Sequence, residues 1–308
     1  MAVRTQESVT FKSRSLTISG TLFLPEGVEG KLPAIVIGHP VTSVKEQSPT
    51  FYAKALSGIG YAVLIFDATY QGHSEGEPRL LEDPFARAED VKDAVSFLSA
   101  DSRIDADRIG ALGICGSGGY VPFAAQTDRR IKAVAGISAV NIGDMVREGT
   151  DLSGGDRDAL DAQLNAANAA RTAEAKGEPA AVTAMLPMTA EEAAQTPDRS
   201  MLSDAYEFYR VEFCSPDAPN KVAVRSFDQI AQFDAWQFLT LISPRPLLLI
   251  AGTVADSRAH SERAIEKAAE PKELFWVEGA SHVDLYGHKP EFLDPIIAKL
   301  TDFYGKCL

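Results

Sequence analysis

The chain has 308 residues, of which 45% are hydrophobic and 24% charged, with a formal net charge of −13 and three cysteines. The length suits one large α/β domain or one domain with an insertion. The acidic balance argues against nucleic acid and anionic membranes as partners, and three scattered cysteines exclude a disulfide framework or a zinc cluster. The first fifteen residues, MAVRTQESVTFKSRS, show no signal-peptide pattern, and no apolar run approaches the roughly 20 residues of a membrane helix, so a cytoplasmic location is expected.

In chain order, residues Ser8 to Leu24 alternate in part and predict an antiparallel pair at a sheet edge. Four strong apolar runs follow: Ala34–Gly38, Ala62–Phe66, Ile109–Ile114 and Pro246–Ile250. Two weaker ones are Ile131–Ile137 and Leu274–Val277. The strong runs lack alternation, so both of their faces should be covered. Helical spacing separates them, most clearly over Ala86–Ala100, where Val91, Ala94, Val95 and Leu98 share a face. This alternation predicts an open, mostly parallel sheet with helices on both faces.

The stretch from Asn141 to Leu239 breaks the rhythm. It is rich in Ala, Asp and Glu, lacks a convincing buried strand, and has helical spacing over Ala159–Ala175 and Met201–Phe213. It is expected to be a helical cap over the carboxyl ends of the strands. The division is therefore 1–140 core, 141–239 cap and 240–308 core. Met185, Leu186, Met188, Tyr206, Phe208, Tyr209, Phe213 and Trp236 are the cap's apolar material for lining a pocket.

Gly113-Ile-Cys-Gly-Ser-Gly-Gly119 follows a predicted strand and precedes a helix. A sharp strand-to-helix turn can lift one nucleophile above the sheet if its neighbours two before and two after are small. Both Cys115 and Ser117 satisfy that rule. The ungapped strand Arg108–Ile114 favours Cys115, whereas Pro122 would sit nearer the first turn of the helix if Ser117 were the apex. Among the five histidines, His282 follows the last predicted strand and is the expected base, with His288 in reserve. Asp256 is the only carboxylate between the strand Pro246–Ile250 and the helix predicted over Ser257–Ala269, and is the expected orienting acid; its bland alternative is a plain helix cap. An oxyanion hole would use the backbone N–H groups of Gly116 and, because Pro40 has none, Val41. His39 and Tyr70 are expected near the pocket with Trp236, His39 chiefly as a structural brace, and Asp67 and Gly72 as turn residues.

GHPVTSVKEQ, FDATYQGHSEGEPR, RIGALGICGSGGY and GASHVDLY, taken together, resemble a bacterial and fungal group of α/β-hydrolases. The group is related to dienelactone hydrolases and X-Pro dipeptidyl-peptidase-like enzymes and includes fungal polyketide-transferase-like proteins. The resemblance covers both core portions and is weak across the insertion. It implies the α/β-hydrolase fold. Dienelactone hydrolases carry a cysteine nucleophile in a Gly-x-Cys-x-Gly-Gly elbow, which supports Cys115; this sequence departs by having Ser117 where their first glycine falls.

The expected activity is acyl transfer from an ester, lactone or thioester through Cys115, His282 and Asp256, with a thiolate favoured by the imidazole and the helix start. The alternatives are transfer of the acyl group to an alcohol or amine, a serine hydrolase using Ser117, and a non-catalytic binding module. No cofactor or metal is implied. The expected partner is a small-molecule acyl substrate, and a homodimer is left open.

Overall fold

The computed structural model describes residues 5–25, 27 and 30–308. Strands β1 (Thr5–Ser13) and β2 (Leu16–Leu24) form an antiparallel pair. The chain continues as β3 (Leu32–Gly38), α1 (Ser48–Ser57), β4 (Ala62–Phe66), α2 (Pro84–Ala100), β5 (Ile104–Ile114), α3 (Ser117–Thr127) and β6 (Ile131–Ile137). A long excursion follows: α4 (Ile142–Glu148), α5 (Arg157–Ala175), β7 (Val182–Ala184), α6 (Ala190–Ala193), α7 (Met201–Tyr206), β8 (Lys221–Ala223) and α8 (Ser226–Gln232). The chain then returns through β9 (Leu247–Gly252), α9 (Arg258–Lys267), β10 (Lys272–Val277) and α10 (Pro290–Cys307).

Eight strands make one sheet in the order β1-β2-β4-β3-β5-β6-β9-β10, and β7 and β8 pair separately. β2 runs antiparallel to β4, and from β4 to β10 every pair is parallel. Both faces of the central strands are covered. Ala34 and Val36 share one cluster with Val91 and Val95 of α2 and Val121 of α3. Ile35 and Ile37 point the other way, into a cluster with Leu56 of α1 and Leu300 of α10. That is why these strands read as unbroken apolar runs. Among the described residues, no helix is long and apolar enough to cross a membrane.

Several boundaries differ from the predicted ones for local reasons. α2 starts two residues early because Pro84 fits the first helical position and the Asp83 carboxylate accepts the Phe85 and Ala86 N–H groups at 3.0 and 3.1 Å. β5 begins at Ile104, before the apolar run, because Ile104 pairs with Leu32 across a register irregularity while Asp105 to Arg108 run along the rim. The helix predicted over Met201–Phe213 is α7 followed by a π-helical turn, Glu207–Glu212. β7 and β8 are three residues each, too short to leave a periodic signal.

The topology gathers the loops after β3, β5, β6, β9 and β10 at one edge of the sheet. Open α/β folds collect their sites there, at the carboxyl ends of the strands.

Candidate active site

The turn between β5 and α3 is built around Cys115. Its φ is 57°, in the left-handed region where a non-glycine side chain is strained. The surroundings hold it there. Its N–H donates to the Ile137 carbonyl at 3.0 Å, and its own carbonyl accepts from Gly118 and Val140 at 2.8 and 3.0 Å. Gly113 is obligatory, since a Cβ there would lie 1.9 Å from the Ser117 carbonyl oxygen. Cys115 therefore occupies the apex.

Ser117 is in the first turn of α3 and points down, away from the cavity. Its hydroxyl donates to the His39 carbonyl at 2.6 Å and accepts from Arg87 at 3.3 Å. Pro122 sits inside α3, which continues past it; the proline does not move the apex to Ser117.

The Cys115 thiol is pushed above its ordinary pKa by burial. Hydrogen bonds with the Tyr286 hydroxyl and with the backbone N–H groups of Gly116 and Val41 oppose that shift without reversing it. Burial thus works against the thiolate expected from the sequence. The same N–H groups converge where an oxyanion would form.

His282 is fully buried after β10. Its Nε2 lies 3.3 Å from the Tyr286 hydroxyl, and its Nδ1 lies 2.5 Å from the Ser257 hydroxyl. Burial, and secondarily the charge of nearby His260, bring its pKa down to about 3. Tyr286 thus touches both the thiol and the imidazole.

Asp256 is not at His282. One carboxylate oxygen accepts the Met201 N–H at 3.0 Å, at the start of α7, and the other is buried without a partner. Burial raises its pKa. The expected Asp256–His282 pair gives way to a Ser257–His282 contact, because the Met201 N–H at the start of α7 captures the aspartate. The reserve base His288 packs edge-on against Phe208 and Phe213 at 5.0 and 5.7 Å and does not line the cavity.

Above Cys115 lies a cavity of about 60 Å³. The core contributes Val41, Thr42, Val140 and Tyr286. The excursion contributes Ile142 and Met145 from α4, Met185 and Leu186 after β7, and Met201, Leu202 and Ala205 from α7, with Tyr209 following. Among the described residues, no charged side chain lines it. Of the apolar residues expected there, only Met185, Leu186 and Tyr209 reach it. Trp236 is buried in the cluster that includes Tyr120 and Val121 of α3, on the face of the sheet packed by α2. Tyr70 has a φ of 73° and packs its ring toward Gly76, away from the cavity.

His39 is part of the floor instead. Its Nδ1–H donates to the Pro40 carbonyl at 2.7 Å, and its Nε2 accepts the Ala68 N–H at 3.0 Å. Burial and the neighbouring Arg87 hold its pKa well below the usual imidazole value. Arg87 is buried too. It donates to the His39 carbonyl at 2.6 Å, pairs with Glu82 at 3.3 Å and lies over the Tyr120 ring. Sequence reasoning missed Arg87, Glu82, Ser257 and Tyr286. A signal existed for Arg87: it lies four residues before Val91, on the helix face otherwise reserved for the core. Glu46, Asp67 and His73 approach one another, but the Lys45 ammonium already pairs with Glu46 and Asp67 at 2.7 Å each.

The family model for X-Pro dipeptidyl-peptidase (S15 family) matches residues 16–224. The chain is 36% identical to the Escherichia coli (strain K12) protein YcjY, itself uncharacterised, over 96% of this chain and 95% of that one. The crystal structure of the hypothetical protein PA2218 from Pseudomonas aeruginosa superposes with a TM-score of 0.90 at 34% identity, covering 99% of this chain and 94% of that one. Polyketide transferase ATR5 of Stachybotrys chlorohalonatus is 27% identical over 92% of each chain. The fold is that of solved α/β-hydrolases.

Proposed function

The chain belongs to the X-Pro dipeptidyl-peptidase (S15) family and is an enzyme of hydrolase type, and from that premise we propose that it transfers acyl groups through Cys115, with His282 as base. The observation that carries this reading is the strained apex at Cys115, with the Gly116 and Val41 N–H groups turned on its sulfur.

In the proposed cycle the sulfur attacks the substrate carbonyl while its proton leaves along the Tyr286 hydroxyl: Tyr286 accepts the thiol proton and passes its own to His282 Nε2. The carbonyl oxygen, now an anion, rests on the two N–H groups. Collapse expels the alcohol or thiol, which takes the proton back from His282 by the same route, and leaves a thioester on Cys115. Water or an acceptor then releases the acyl group. A thiol that is neutral at rest suits an apolar cavity, where a lone thiolate would be costly.

The cavity selects an uncharged, apolar acyl group. Among the described residues its lining holds no carboxylate for the N-terminal ammonium that a dipeptidyl-peptidase must bind and no cation for a carboxylate-bearing acyl chain. Three methionines from separate segments, Met145, Met185 and Met201, give it an adaptable lining. Segment 141–239 acts as the cap in this reading, since it supplies most of that lining. A second reading, transfer to an alcohol or amine rather than water, is favoured by the likeness to the polyketide transferase over 92% of both chains. The Ser117 hydroxyl, held by the His39 carbonyl and Arg87, is turned away from the cavity and does not serve as the nucleophile in this reading.

Pre-steady-state hydrolysis of p-nitrophenyl esters tests the proposal. A burst of one p-nitrophenolate per chain is expected with a neutral aliphatic acyl group and none with an acyl group ending in a carboxylate or ammonium. A burst that prefers the charged esters would refute the substrate reading.

A further inference from the structure

Ser257 occupies the N-cap position of α9, where a serine hydroxyl ordinarily accepts an N–H from the first helical turn. Here it makes no such cap. The side chain is 2% exposed and turned inward, with its oxygen 2.5 Å from His282 Nδ1. The residue before it turns the opposite way, so that the Asp256 carboxylate takes the first N–H of α7 in the cap. Two adjacent residues thus divide two tasks.

We propose that Ser257 is the positioning residue for the His282 imidazole, and that Asp256 fastens α7 over the cavity. This rests on the reading of His282 as the base. To work as one, His282 must keep Nε2 unprotonated toward Tyr286, which requires its proton on Nδ1. The Ser257 oxygen is placed to accept that N–H. Being uncharged, it fixes the tautomer and the ring angle without adding an anion, so the imidazolium formed during turnover is not stabilised by a carboxylate from behind. The base is weak, and the relay Cys115–Tyr286–His282–Ser257 is neutral throughout at rest.

The groups facing His282 agree with this. Tyr286 on its own turn is held neutral by burial. His260 of α9 adds repulsion to a protonated His282. Asp284, two residues along, is occupied by the Ser281 N–H, Arg199 and Lys289. Asp204 of α7 binds the Ser281 hydroxyl, and Asp256 binds Met201.

The test is the pH profile of kcat and kcat/KM with a neutral p-nitrophenyl ester. In the wild type the acid limb of kcat should lie well below the ordinary imidazole pKa of about 6.5. Ser257→Ala should lower kcat by about tenfold, the worth of one neutral hydrogen bond, with KM little changed. Ser257→Asp should move the acid limb upward, because an anion now faces Nδ1; this variant reads the role even if Ser257→Ala is poorly folded. Asp256→Ala should raise KM and leave the acid limb in place. The proposal is overturned if Asp256→Ala abolishes kcat while Ser257→Ala keeps it, or if the limb ignores Ser257→Asp. Full turnover in His282→Ala would instead remove the base itself, and the proposal with it.

Discussion

Below Cys115 the protein is polar, charged and tightly bonded: Arg87, Glu82, His39 and Ser117 hold one another and the backbone of the loop after β3. Above it the cavity is apolar, lined by methionines from segment 141–239 and, among the described residues, by no charged side chain. The two sides face the same sulfur within one turn of chain. The floor fixes where the Val41 and Gly116 N–H groups point, because Arg87 grips the carbonyls of His39 and Pro40 at 2.6 and 3.3 Å, directly before Val41. The roof is the wall that the proposed acyl group meets. Rigid polar bonding suits the first task and adaptable apolar packing the second.

That contrast breaks most sharply at the sulfur itself. Cys115→Ala should abolish turnover, and Cys115→Ser should leave a trace, because a serine hydroxyl has a far higher pKa and must be deprotonated by a weak base. Steady-state assays of both variants check this.

The floor comes next. Arg87→Met leaves Glu82 buried without its cation and the loop carbonyls without their donor, and should destabilise the fold by about 3–5 kcal/mol. Chemical denaturation measures that loss. Oxyanion stabilisation should fall with it, so kcat of whatever remains folded should drop more than KM rises. Ser117→Ala removes a hydroxyl from the same floor and should cost only about 1 kcal/mol, with turnover kept.

The roof should respond in selectivity. Met185→Leu and Met201→Leu conserve volume and should change stability by less than about 1.5 kcal/mol. Their kcat/KM ratios across acyl chain lengths should shift, since a branched side chain adapts less well than a thioether. Equal ratios in wild type and both variants would show that the roof does not read the acyl group.

The smallest effect concerns the resting thiol. Because burial raises the Cys115 pKa, its thiolate fraction at neutral pH is below that of a free thiol. Iodoacetamide at pH 7 should therefore label the exposed Cys214 before Cys115, and Cys115 labelling should climb only above the free-thiol range of about 8.5. Faster labelling of Cys115 than Cys214 at pH 7 would mean an ion pair with His282 already exists at rest.

The legible parts of the molecule were those with local causes. Buried strands such as Ala34–Gly38 announce themselves as continuous apolar runs, and the elbow at Cys115 is written in its small neighbours. His282 was reachable because chain order places its loop after the last strand. The choice between Asp256 and Ser257 was not. Both sit at the start of one helix, and what separates them is the Met201 N–H, 55 residues upstream in sequence. Trp236 lies elsewhere than expected for a related reason: a large aromatic in segment 141–239 can pack down onto α3 as readily as over a pocket, and only tertiary contacts decide. Arg87 acts through His39 and Pro40, far away in the chain, whereas Tyr286 lies four residues after His282, inside GASHVDLY, where nothing but the folded geometry marks its contact with the imidazole.

Intact-mass analysis during turnover of a neutral acyl thioester, followed by peptide mapping, tests the central claim most directly. The account predicts a single acyl adduct on Cys115, present in Ser117→Ala and missing in Cys115→Ala. An adduct on Ser117, or undiminished turnover by Cys115→Ala, would contradict it.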